Sequence, residues 1–306
     1  MRKNYESISN RFMEIRGFMK VLVIGATGML GTSMIPALLA KGYDVVTSNF
    51  LYAHMDVRDA EQVMITAKLA KPDIILHLAA ETDVDRCERE PQHAYEVNTR
   101  GTKNVAEACK ALNIPMLYVS TIGVFYGDKK EPYTEEDEPR PANFYGWSKL
   151  FGERMVKSLV KDYFIVRAGW MVGGGPTRDK KFVGKIISQV KSNVQEIKAV
   201  TDKVGSPTYA PDFCKVVANL IATKEYGTYH CTNHGYPSRY DVAQEVLWLM
   251  CRCTKLTPVD SSAFVSLSAG RANSEMSDNK HLQAIGLDTM RDWKEALREY
   301  VHAYSW

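Results

Sequence analysis

Val21-Leu22-Val23-Ile24-Gly25-Ala26-Thr27-Gly28-Met29-Leu30-Gly31 carries a short apolar run straight into three glycines spaced three apart. Four apolar residues in a row suit a strand covered on both faces. From Met29 the apolar positions take helical spacing as far as Lys41, and Gly42 supplies a stop. Strand, glycine turn and helix in this order make an anion-binding corner. Gly25 allows the tight turn, Gly28 lets a pyrophosphate approach the backbone, and Gly31 lets the helix lie close on the strand. Thr27, Met29 and Leu30 complete the loop, whose N–H groups would face the phosphate at the helix N-terminus. The spacing is Gly-x-x-Gly-x-x-Gly, not the Gly-x-Gly-x-x-Gly of many dinucleotide-binding chains. A tight turn without a ligand is the bland alternative; the strand–turn–helix setting favours a nucleotide.

The same alternation continues outward. Tyr43–Ser48, Asp73–Leu78, Ile114–Ser120 and Tyr163–Arg167 read as strands. Asp59–Ala70, Pro91–Leu112 and Phe144–Val160 read as helices. Near-continuous apolar strands separated by helices predict an α/β fold, a Rossmann-type doubly wound parallel sheet. From about Gly173 segments shorten and Gly, Pro, Ser and Tyr become frequent, with helices expected at Asp241–Cys251 and Met290–Tyr304. The expected division is an extension over 1–18, a dinucleotide-binding domain over 19–172, and a smaller substrate-binding lobe over 173–306 with segments returning to the main sheet.

Composition excludes several classes of function. Hydrophobic residues make up 45% of the 306 and charged residues 25%, as in ordinary globular proteins. A net charge of +3 gives no reason to expect nucleic acid or an anionic membrane as partner. No apolar run is long enough to span a bilayer, and residues 1–18 are polar and mixed in charge, unlike a secretory signal. The cysteines, Cys87, Cys109, Cys214, Cys231, Cys251 and Cys253, form no Cys-x-x-Cys pair, which suits reduced thiols in the cytoplasm. His230 and His234 flank Cys231 without a carboxylate at helical spacing, so no metal site is expected there.

An acidic residue ending the second strand would select NAD through the ribose. Thr47-Ser48-Asn49-Phe50 offers neither carboxylate nor arginine, so NADH and NADPH both stay open, with Ser48 and Asn49 as the ribose-side candidates. Asp56 and Val57 could hold the adenine edge, and an acidic N-cap at Asp59 competes for this local acidity. Ser120-Thr121 ends a strand, where ligands lie in open parallel sheets, and a hydroxyl there can bond a reacting carbonyl. Tyr145 and Lys149 stand four apart on one helix face. The ammonium can stabilise a phenolate and lower the tyrosine pKa, making Tyr145 an acid or base near neutral pH.

With these residues in view, the chain resembles the extended short-chain dehydrogenase/reductases, and most closely the dTDP-4-dehydrorhamnose reductase family. The likeness runs through Gly25–Gly31, His77-Leu-Ala-Ala80, Thr82, Val84, Asp85, Asn98, Ser120-Thr121, Tyr145-Gly-x-Ser-Lys149, Arg167, Trp170, Gly205-Ser-Pro-Thr-Tyr209 and Gly227-x-Tyr-His230. It implies NAD(P)H-dependent reduction of the C4 keto group of a nucleotide-linked 4-keto-6-deoxy sugar, with dTDP the favoured carrier. It implies that Tyr145 protonates the C4 oxygen, that Lys149 depresses the tyrosine pKa and holds the nicotinamide ribose, and that Thr121 orients the ketone. Ala79, Ala80, Thr82 and Asn98 would line the cofactor; Val84 and Trp170 would line the sugar. A homodimer is a possible assembly.

Two departures bear on the substrate. The strand-end motif of the family reads Ser-Thr-Asp-Tyr-Val-Phe, and here Ile122-Gly123 replaces Asp-Tyr; the usual arginine-proline pair is Arg271-Ala272. Related 4,6-dehydratases place an Asp-Glu pair after the strand-end threonine, and no carboxylate follows Thr121 here, which disfavours dehydration. An NAD(P)-dependent epimerase shares the Tyr/Lys pair. A non-catalytic, dinucleotide-binding regulatory subunit like that of methionine adenosyltransferase is the alternative of a different class.

Overall fold

The computed structural model describes residues 19–48, 55–264 and 270–304. Six strands run parallel in one sheet: β1 (Lys20–Ile24), β2 (Asp44–Thr47), β3 (Ile74–His77), β4 (Met116–Thr121), β5 (Tyr163–Ala168) and β6 (Gly227–His230). Their order is β6-β5-β4-β3-β1-β2. The chain moves outward from β1 to β2, then returns to start β3 on the other side of β1. That reversal leaves a crevice at the carboxyl ends of β1 and β3.

Period-two alternation sends each strand's apolar residues into two cores. Val21, Val23, Leu76, Leu117, Phe164 and Val166 pack under helices α1 (Gly31–Ala40) and α5 (Ala210–Thr223). Leu22, Ile24, Ile75, Met116, Tyr118 and Ile165 pack under α2 (Ala60–Ala70), α3 (Gly101–Leu112) and α4 (Phe144–Leu159). Covered strands of this kind cannot alternate polar with apolar, which is why they read as continuous apolar runs.

The long helix expected over Pro91–Leu112 is instead three pieces. Pro91–Ala94 leads into a π-helical stretch, Tyr95–Arg100, before α3 begins. The wider turn surrounds Asn98, which is fully buried, and Thr102 Oγ1 donates back to the Asn98 carbonyl at 2.6 Å.

After β5 the chain builds a third core. Helices Phe182–Lys191, Arg239–Leu249 and Trp293–His302 enclose Val183, Ile187, Val246, Leu297 and Tyr300. The parallel strands Glu196–Val200 and Lys255–Val259 close it. Two short parallel ladders join this lobe to the rest: Trp170–Val172 beside Pro207–Tyr209, and Val204–Gly205 beside Ser274–Glu275. Among the described residues no helix is long and apolar enough to cross a membrane.

The three glycines after β1 meet different constraints. A Cβ on Gly31 would lie 2.3 Å from the Ala26 carbonyl oxygen, a backbone atom that cannot move aside. A Cβ on Gly28 would meet nothing nearer than the Gly25 carbonyl at 3.4 Å. Gly31→Ala should therefore cost about 2–4 kcal/mol and lower Tm by roughly 5 °C or more, while Gly28→Ala should leave Tm within about 2 °C. Thermal unfolding of the two variants, followed by circular dichroism, checks the contrast.

Candidate active site

Because the sheet is parallel, the loop after β1, the loop after β3 and the end of β4 all reach one edge. Gly25 adopts a left-handed φ of +89°, and the space a side chain would take is filled by the Ala79 backbone nitrogen, 2.6 Å from the Cβ position. The two loops thus touch backbone to backbone. Thr27 and Gly28 are exposed at the crest of the turn. Helix α1 begins without a side-chain cap and with no acidic residue in its first turn. Uncapped N–H groups, an open glycine face and no local carboxylate fit a pyrophosphate. Leu30 contributes backbone alone, since its side chain is buried in the core. Arg178 Nε donates to the Thr27 carbonyl at 3.1 Å, placing a guanidinium beside the turn.

The ribose and adenine candidates divide. Ser48 is buried at the end of β2, and Asn49 lies outside the described residues. Asp56 is held by Arg58, which donates to both carboxylate oxygens and keeps the carboxyl below its usual range. Val57 is buried against α3, its carbonyl accepting from Asn104 at 2.9 Å. Val57 has no open side chain to offer, while the Asp56 carboxylate stays part-exposed beside Arg58. Asp59 caps α2 by accepting from the Glu61 and Gln62 nitrogens. Beyond β3, Ala79 and Ala80 line the loop, and both oxygens of Thr82 accept from Lys181 Nζ at 2.9 Å. Val84 opens the short helix Val84–Arg89, capped by Asp83. The Asn98 amide, grouped with the cofactor ligands in the sequence, is instead spent inside the protein. It exchanges hydrogen bonds with the Glu81 backbone and donates to Ser148 Oγ at 2.9 Å, so it fixes the loop after β3 against α4.

Thr121, Tyr145 and Lys149 do come together. Asn143 caps α4 by accepting from the Gly146 nitrogen. Gly146 presses on the Gly123 carbonyl, which stands 2.3 Å from where its Cβ would be. Only glycine allows α4 to start this close to the end of β4. The adjacent hydroxyls Ser120 and Thr121 point opposite ways, as strand geometry requires. Ser120 donates to the buried carboxylate of Glu153 at 2.6 Å, whereas Thr121 Oγ1 accepts from the Gly123 nitrogen at 3.0 Å and lies near enough to the Tyr145 phenol to favour its ionised form. Glu153 is clamped by Arg167 through two bonds, of 2.9 and 2.8 Å.

The electrostatics correct one expectation. Burial, with smaller contributions from Cys87 and Glu275, raises the Tyr145 pKa, and the neighbouring Thr121 hydroxyl only partly opposes them. Lys149 does not bring it down. The Lys149 Nζ donates to the Val119 carbonyl at 2.9 Å and rests 4.2 Å from the Tyr118 ring centroid. Burial pushes its own pKa down to about 7, against the opposing charge of Glu153. Sequence spacing puts the two groups on one face; depth in the fold decides which way each titrates.

Trp170 is part-buried and its indole Nε1 donates to Glu275 Oε2 at 2.5 Å. Arg239 stacks its guanidinium 3.5 Å from a Trp170 ring centroid. The Gly-Ser-Pro-Thr-Tyr motif frames this residue: a Cβ on Gly205 would be 2.6 Å from the indole, and the Ser206 carbonyl accepts from the Trp170 nitrogen at 2.8 Å. Glu275 and Arg239 were not found from sequence. They stand over 100 residues from Thr121, outside any motif, and only the short ladders of the second lobe bring them in. No carboxylate stands at the two positions directly after Thr121, yet Glu275 Oε1 reaches within 3.4 Å of the Cβ position of Gly123. Among the described residues, Glu135, Glu136 and His281 could hold a cation. Glu135 already accepts from the backbone of His230 and His281, and Glu136 from Lys280, so the group serves as a tie between loops.

Comparison with known proteins agrees with this geometry. The family described as RmlD substrate binding domain matches residues 19–306. The dTDP-4-dehydrorhamnose reductase of Mycolicibacterium smegmatis is 32% identical over 287 residues, 93% of this chain and 85% of that protein. A crystal structure of the dTDP-4-dehydrorhamnose reductase of Clostridium acetobutylicum superposes with a TM-score of 0.87 at 36% identity, covering 93% of this chain and 99% of the other. The Bacillus anthracis dTDP-4-dehydrorhamnose reductase, solved in complex with NADP, gives a TM-score of 0.87 at 34% identity, covering 94% of this chain and 100% of the other. With one family description spanning both lobes, this chain belongs to the dTDP-4-dehydrorhamnose reductase family.

Proposed function

We propose that this protein reduces the C4 keto group of a dTDP-linked 4-keto-6-deoxy sugar, with NADPH or NADH as the hydride donor. The observation that carries the reading is Tyr145 set beside Thr121 at the carboxyl edge of the sheet, with Lys149 buried one turn along the same helix. We take the second lobe to be the substrate side of the site. The described cysteines are all unpaired thiols, which suits catalysis in the reducing cytoplasm.

Bound at the glycine turn, the dinucleotide supplies the hydride. Everything else falls to side chains. A reductase acid must begin protonated, and burial keeps the Tyr145 phenol so. Thr121 Oγ1 and the Tyr145 phenol are the two hydroxyls assigned to donate to the ketone oxygen. As negative charge develops on that oxygen, Tyr145 gives up its proton. Lys149, its pKa near 7 and its charged form favoured by Glu153, is assigned to hold the nicotinamide ribose beside it. Trp170 forms the wall against which the sugar ring packs.

Two outcomes test these roles. Tyr145→Phe should lower kcat by about 10²–10⁴-fold with NADPH affinity within about threefold of wild type, measured by cofactor oxidation and fluorescence titration. A wild-type rate in that variant would remove Tyr145 as the acid. Lys149→Met should abolish turnover yet stabilise the cofactor-free protein. Unfolded, the lysine titrates at its ordinary 10.5; folded, at about 7. Below pH 7 folding must bury the whole charge; between pH 7 and 10.5 the folded state sheds the proton and the cost declines. The gain in Tm should therefore reach about 3 °C or more below pH 7 and shrink as pH approaches 10. A gain that instead grows with pH contradicts the assignment.

A further inference from the structure

We propose that Glu275 is a positioning residue for the keto sugar, fixing the Trp170 indole in the pocket and occupying the space that Gly123 leaves beside Thr121. The proposal rests on the reductase reading above and adds a residue to its substrate side.

Three constraints meet at the indole. Glu275 Oε2 accepts its N–H at 2.5 Å. Gly205 lies so close beneath that any side chain there would collide with the ring. Arg239, its pKa pushed down to about 10 by burial and partly restored by Glu275, stacks on the ring and counters the carboxylate's charge. Glu275 is itself held by backbone: it pairs with Gly205 in the short ladder, and its carbonyl accepts from the Ser206 nitrogen at 3.1 Å. Gly205, Ser206 and Arg239 thus fix the carboxylate and the indole together.

The second carboxylate oxygen faces the reacting groups. The Cβ position of Gly123 is 3.4 Å from Glu275 Oε1 and 3.3 Å from Thr121 Oγ1. A large side chain at 123 would compete with the carboxylate for that volume. The missing side chain on one lobe and the extra carboxylate on the other are therefore a matched pair. Glu275 also opposes ionisation of the Tyr145 phenol, which places its charge within electrostatic reach of the acid. A carboxylate so placed can accept from a sugar hydroxyl while its other oxygen keeps the indole in register.

Steady-state kinetics with NADPH and a dTDP-4-keto-6-deoxy hexose test this on the full-length enzyme. Glu275→Ala should raise KM for the sugar about threefold or more while KM for NADPH stays within about twofold. Glu275→Asp, drawn back by one methylene, should do the same, and it keeps the charge should the alanine variant fold poorly. Glu275→Gln retains an acceptor for the indole N–H and should recover most of the sugar KM. A sugar KM that stays below a threefold rise in both Ala and Asp variants overturns the proposal. So does an equal rise in the NADPH KM, which would mark a merely structural role, or a Gln variant no better than Ala. Failure of the underlying reading looks different: wild-type enzyme would not turn over the sugar, or Tyr145→Phe would turn it over normally.

Discussion

The buried ion pair of Glu153 and Arg167 fixes the relation between the catalytic helix and the sheet. Each residue is about 1% exposed, and two charge-assisted bonds join them. Isolated charges at such depth are costly, and their attraction offsets this only when every polar atom is matched. Here Ser120 supplies the third donor, and the second guanidinium edge reaches His230 on β6. One carboxylate on α4 is thereby tied to β4, β5 and β6. Tyr145, Lys149 and Glu153 follow at intervals of four on a single face of α4. Anchoring the third of them sets the height of the other two against Thr121. The same carboxylate favours the charged form of Lys149, so the anchor also tunes the cation it positions.

Much of the scaffold was legible because its causes are local. Continuous apolar strands announced a sheet covered on both sides, and the glycines announced a turn with backbone packed against backbone. Gly25 and Gly31 each abut a backbone atom, so their identity is dictated by sterics that a short motif can carry. Thr121, Tyr145 and Lys149 were legible for a related reason: strand ends and helix faces follow from periodicity. The π-helical stretch was not, because it depends on Asn98 finding partners at Glu81 and Ser148, seventeen and fifty residues away. The titration of the Tyr/Lys pair was not legible either. Spacing gives proximity, but burial acts on both groups more strongly than they act on each other, raising one and lowering the other.

The site also divides by lobe. The glycine turn, the loop holding Ala79, and Thr121, Tyr145 and Lys149 come from the ends of β1, β3 and β4 and from α4. Trp170 and the residues packed on it, Gly205, Arg239 and Glu275, come from the segments after β5. Where the two halves meet, Gly123 faces Glu275. Along the chain no carboxylate stands at 122–123; in space Glu275 brings one there from the other lobe. Substitutions at this seam can reshape the sugar pocket without disturbing Ser120, Glu153 or the hydroxyl of Tyr145. A departure at 122–123 therefore changes one seam of the fold and leaves the Ser120–Glu153–Arg167 anchor of α4 as it is.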